Sequence, residues 1–198
     1  MLDFVSLLVL FVIRPREAMD RIRERVSPIA AVIALLLTGI ANAVNFRLLD
    51  IRGFVSSLGV TSDVLDAVVE MQKTSSAFWA FVSEPFFLMF AAVMIMDAAA
   101  QAFWKKRAGS RLYVTLSLSG LVEAVIRLIG MFLSGMAGGV LSDVLTYGAI
   151  IYSLIMGVMA VRFYYEKSTA RALGLYLLPT ALTLAVTLTL VLVLGGGA

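Results

Sequence analysis

Residues Ala77 to Phe103 read AFWAFVSEPFFLMFAAVMIMDAAAQAF, a run whose only charged side chains are Glu84 and Asp97. A helix rises 1.5 Å per residue, so about 20 predominantly apolar residues cross the roughly 30 Å of hydrocarbon in a bilayer. This run is long enough. Trp79 and Trp104 stand near its ends, where indole rings favour the membrane–water boundary.

Working outward, four more runs share this character. The earliest, 28–45, reads PIAAVIALLLTGIANAVN; it is the shortest, and Ser27 and Pro28 suit a helix N-terminus. Residues 112–134 carry Glu123 and Arg127, and 145–165 have tyrosines toward both ends. Residues 173–194 are nearly all Leu, Val, Thr and Ala, with Pro179 predicting a kink or a shifted start. Composition agrees: of 198 residues, 61% are hydrophobic and 15% charged, and mean hydropathy is +0.99. Soluble proteins hold roughly 45–50% apolar and about 25% charged residues. The expected fold is all-α, one polytopic transmembrane helical bundle of about five spans filling 1–198 and embedded in the cell membrane as a multi-pass protein.

Lys and Arg alternate between connections. Arg14, Arg16, Arg21, Arg23 and Arg25 precede the first span; Lys105, Lys106, Arg107 and Arg111 follow the second; Arg162, Lys167 and Arg171 surround the turn after the fourth. The intervening connections hold Arg47, Arg52 and Lys73 against Asp50, Asp63, Asp66 and Glu70, then Asp143 alone, then an uncharged GGGA tail. Cytoplasmic loops are the ones enriched in Lys and Arg, so the pattern predicts a cytoplasmic N-terminus and an outside C-terminus. The net charge of +3 is explained by this orientation, and no nucleic-acid partner is implied.

Three flanking segments are also predicted to be helical. MLDFVSLLVLFVI, 1–13, is too short to span and carries Asp3 where a signal peptide would be basic, so an interfacial or shallowly re-entrant helix is expected. PREAMDRIRER, 15–25, places Ala18, Ile22 and Val26 four apart, with charge on the other faces, as in an amphipathic helix on anionic headgroups. In the external loop 46–76, Thr61 or Ser62 caps a helix begun by Asp63 and Asp66, whose apolar face is Val64, Leu65, Val68, Val69 and Met71. That face reads as a lid or brace, or as a partner-docking surface.

There is no cysteine and no histidine, which removes thiolate nucleophiles, imidazole bases and the usual zinc and haem ligands. No catalytic, cofactor-binding or metal-ligating set is assigned. The candidate site is a buried polar cluster of Glu84, Glu123 and Arg127, with Asp97 as a further intramembrane carboxylate, because a charge near the bilayer centre costs roughly 2.5–3.5 kcal/mol. Glu123 and Arg127 are four apart with the carboxylate first, the favourable order in a helix. Antiparallel packing would bring Glu84 to a similar depth, so Arg127 is expected to bridge one or both carboxylates. Asp97 lies nearer the cytoplasmic end and is expected to reach Lys105 or Lys106. Gly39 with Ala43, Gly130 with Ser134, Gly135 with Gly139 and Ser153 with Gly157 have the spacing of close helix contacts, within the chain or in a homo-oligomer. The stretch Gly135 to Gly139 reads equally as a turn.

Two segments carry a family resemblance. FVIRPREAMDRIRERVSPIAAVIALLL, 11–37, resembles the start of prokaryotic Yip-family proteins, in which a short apolar lead and a Pro-Arg amphipathic stretch precede the first span. VMAVRFYYEKSTARALGLYLLPTAL, 158–182, is similar to that family's fourth span, short basic turn, Arg-Ala pair and Pro in the fifth span. The acidic-Leu-Tyr-Gly-Pro signature of the eukaryotic members is absent. The resemblance implies five spans and a cytoplasmic N-terminus. Pro15, Arg16, Arg171, Ala172 and Pro179 are the matched positions, read as structural, and no catalytic residue is carried over. The resulting expectation is a non-enzymatic scaffold or partner-binding subunit without cofactor, in contact with lipid and with a membrane-protein partner or a second copy. The alternative is a small transporter or channel using the carboxylate–arginine cluster.

Overall fold

A computed structural model describes residues 4–25, 28–48, 66, 70, 83–137 and 139–195. Its elements are α1 (Phe4–Ile13), α2 (Pro15–Glu24), α3 (Pro28–Leu48), a π-helical turn (Ser83–Leu88) leading into α4 (Met89–Trp104), α5 (Ser110–Ala137), α6 (Gly139–Tyr165) and α7 (Thr169–Gly195). Among the described residues there is no strand. In hydrocarbon every backbone N–H and C=O must be satisfied within the chain, and a helix does this locally.

Among the described residues, four helices are long and apolar enough to cross a membrane: Phe86–Trp104, Ser110–Leu133, Val140–Tyr165 and Thr169–Thr189. The expected span at 28–45 forms α3, 21 residues in all. Its apolar part, Pro28–Val44, counts with Phe4–Ile13 among the shorter apolar helices. The amphipathic helix expected within 46–76 lies outside the described residues, apart from Asp66 and Glu70, which are helical. α5 runs to Ala137 and α6 begins at Gly139, and the expected turn at Gly135 to Gly139 turns on Gly138, which lies outside the described residues. Pro179 neither shifts the start of α7 nor ends it. Instead the Thr183 hydroxyl donates to the Pro179 carbonyl at 3.0 Å, one turn on.

What is inside and what is outside follows the solvent. α3 buries Ala30, Ala31, Ala34, Thr38 and Asn42, while Ile29, Val32, Leu36 and Ile40 are exposed. α5 buries Thr115, Ser117 and Ser119 but exposes Val125, Ile129 and Phe132. In water, exposing so much apolar surface would cost about 25 cal/mol per Å², whereas lipid tails are as apolar as leucine. The interior takes small and hydroxyl-bearing residues together with aliphatic ones such as Leu35, Leu118 and Leu121, and the outward-facing large aliphatic residues suit lipid. This is an integral membrane protein.

The chain packs as two compact units. One comprises Met1–Pro28, Met89–Leu116 and Leu154–Ala198. There α1 folds back on α2, burying Leu7 and Phe11, and α4 packs on α7. α2 buries Ala18, Met19 and Ile22 and exposes Arg16 and Arg23 on the other faces. Gly157 of α6 lies so close to the Tyr176 ring of α7 that a Cβ there would overlap it.

The other unit comprises Ile29–Leu88 and Ser117–Ser153. In it a Cβ on Gly130 of α5 would stand 3.3 Å from the Leu145 side chain and 3.4 Å from the Ser142 carbonyl of α6. Gly130 and Gly157 are thus used for contacts within the chain.

Candidate functional site

Within the first unit, the ends of α4 and α6 and the start of α5 hold a polar assembly. α4 ends at Trp104, after which Lys105 takes a left-handed φ of 55° and turns the chain back. Gly109 adopts φ +49°, a conformation glycine reaches without Cβ strain, and its carbonyl accepts the first bond of α5 from the Tyr113 amide at 3.1 Å. The turn aims two backbone N–H groups at Asp97. Its carboxylate accepts from Ala108 at 2.9 Å and from Gly109 at 2.8 Å. The site sits at the positive end of α5, where a carboxylate is favoured.

The buried Tyr165 hydroxyl also donates to Asp97. Asp97 therefore does not reach Lys105 or Lys106, as the charge pattern suggested; the loop amides and a phenol from α6 satisfy it first. Next to it, the Tyr164 hydroxyl lies 2.8 Å from Thr115 Oγ1 and donates to the Met19 carbonyl of α2 at 3.4 Å. Consecutive tyrosines thus tie α6 to α4, α5 and α2.

Just beyond, α6 closes with Glu166 at a left-handed φ of 53°, the Lys167 amide reaching back to the Arg162 carbonyl at 3.3 Å. That places Glu166 between cations. Lys106 binds one carboxylate oxygen, and Arg23 stands 3.5 Å from the other. Hydrogen bonding and charge from Lys106, with Arg23 adding to them, hold the Glu166 carboxyl below the usual carboxylate range. Lys167 lies over the Trp104 ring at 5.3 Å, and Arg23 over Phe163 at 5.8 Å. The basic segments before α3, after α4 and after α6, far apart in sequence, thus meet in one unit.

Between α2 and the last turns of α6 lies a pocket of about 460 Å³. Arg16, Met19 and Arg23 line it from α2, at helical spacings of three and four. Met159, Arg162 and Phe163 line it from α6, and Glu166 and Lys167 line it from the turn that follows. Among the described residues, neither Arg16 nor Arg162 has an ion-pair partner, and both are exposed.

The residues singled out from sequence lie in two places. Glu123 and Arg127 form an intrahelical pair in the second unit at 3.6 Å, with side chains 21% and 30% exposed. Glu84 lies in the π-helical turn, and its side chain is outside the described residues. Asp97 belongs to the assembly in the first unit. Sequence patterning does not mark Tyr164, Tyr165 and the pocket arginines as a site, since tyrosines at span ends read as boundary aromatics and arginines beside spans as topology signals. The one signal available is the density of Tyr, Trp and Arg at the ends of two spans. No protein-family model matches the chain, and no curated protein or solved structure does either.

Proposed function

We propose that the chain is a non-enzymatic, multi-pass protein of the cell membrane, a scaffold or partner-binding subunit of Yip type, with its N-terminus in the cytoplasm and its C-terminus outside. The observation that carries this reading is the meeting of the basic segments: Arg23 and Lys106 share Glu166, and Lys167 covers Trp104. Segments assigned to one side by their charge are also joined in space. The carboxylates there are occupied by partners, Asp97 by two amides and a phenol, Glu166 by two cations, which suits a rigid surface better than proton transfer.

Purification of the tagged chain from native membranes in mild detergent, after brief cross-linking, tests the partner-binding role. A stoichiometric membrane-protein partner, or a homo-oligomer, is the expected product. A monomer without partners in both detergent and cross-linked membranes would contradict it.

The transport reading draws on the Glu123–Arg127 pair within a span and on the Ser119 and Tyr152 hydroxyls, buried with no hydrogen-bond partner among the described residues. A closed ion pair on one helix neutralises itself and is well suited to holding structure. Proton or ion flux into proteoliposomes, abolished in Glu123→Gln, would favour transport instead.

A further inference from the structure

We propose that the pocket between α2 and the end of α6 binds the phosphate of an anionic lipid headgroup. The proposal goes beyond a scaffold role and rests on it only in placing this face at a membrane surface. Arg16 and Arg162 face the pocket from two helices without an ion-pair partner among the described residues. Guanidinium groups match phosphate oxygens with paired donors and are more weakly hydrated than ammonium groups, so two of them converging on one cavity form a phosphate clamp. Lys167 adds a third cation to the lining, and the carboxylate that also lines it, Glu166, is held by Lys106 and Arg23.

Arg23 is held differently. Its contacts with Glu166 and the Phe163 ring fix it in place, so it shapes the wall of the pocket. Met19, Met159 and Phe163 supply an apolar wall, suited to the glycerol and first methylenes of a lipid rather than to a fully hydrated ion. A volume of about 460 Å³ admits a headgroup. Its position also fits: α6 has just completed its span at Tyr165, and Trp104 beside it marks the boundary where headgroups lie.

The test uses the full chain, purified in a neutral detergent and titrated with phosphatidylglycerol, with phosphatidylcholine, and with glycerol 3-phosphate as the soluble form of the same chemistry. Native mass spectrometry reads the occupancy. Phosphatidylglycerol is expected to bind at least about tenfold more tightly than either of the others. R16Q/R162Q should lose most of that preference, whereas K105Q/R107Q, which removes the same charge outside the pocket, should keep it. Met159→Trp, which fills the cavity and leaves every charge in place, should also lose it, a check that does not depend on how the arginine variant folds.

Equal loss in K105Q/R107Q would reduce the effect to general surface charge and overturn the site. Equal binding of glycerol 3-phosphate would overturn the lipid assignment. Co-purification of a protein partner is a separate readout, so its failure leaves these outcomes unchanged.

Discussion

Asp97 shows how much one side chain does when its neighbours are backbone. Two amides and the Tyr165 hydroxyl converge on it, and leaving buried donors unpaired costs about 1–3 kcal/mol. Asp97→Ala is expected to destabilise the chain by at least that amount. Tyr165→Phe should cost less, and the double variant less than the sum, read as thermal unfolding midpoints in detergent. Lys105 offers the opposite sign. A left-handed conformation costs a non-glycine residue roughly 1–2 kcal/mol, and Lys105 is exposed, so Lys105→Gly should raise the midpoint. Glu166 sets a pH dependence. Its carboxyl is lowered in the folded state, so the stability it contributes is present above the ordinary carboxylate value and is lost as pH falls through the lowered one. The gap between the native chain and Glu166→Gln should therefore close as pH falls below about 5, by a modest amount because the group is exposed.

Helices in lipid associate through close approach, and the glycines report where that happens. At Gly157 an added methyl would overlap Tyr176, so Gly157→Ala should destabilise by about 1–3 kcal/mol, and combination with Tyr176→Leu should recover part of the loss. Around Gly148 and Gly174 the space a Cβ would enter is open, with nothing within 4 Å. Alanine at either should be neutral or stabilising by up to about 1 kcal/mol, through backbone entropy alone. A destabilising Gly148→Ala would instead reveal that another helix packs there in the membrane. The spacing Ser153–Gly157 is visible in the sequence, but so are three other pairs of the same form. At Gly157 the structure adds the Tyr176 ring placed opposite, and at Gly130 the Leu145 side chain, neither of which spacing contains.

For the whole chain, the orientation is open to direct measurement because there is no native cysteine. Single cysteines at Arg107 and Ser168 should resist a membrane-impermeant thiol reagent in intact cells and react after permeabilisation, and one at Ala198 should react from outside. Labelling of Arg107→Cys in intact cells would reverse the topology. The apolar helices are legible in the linear chain because hydropathy is a property of consecutive residues and lipid leaves a long apolar run little choice but to form a helix, whereas their ends differ from the expected bounds by several residues and the run at 28–45 is shorter than the other spans. The destination of Asp97 is not legible there. It depends on a left-handed Lys105, on Gly109, and on a tyrosine 68 residues away, all brought together by a chain reversal that no local pattern encodes. The same holds for Arg16 and Arg162: linear order marks each as a basic residue near a span, and only the packing of α2 against the end of α6 makes one pocket of them, because a binding site is a matter of distance in space and charge pattern is a matter of distance along the chain.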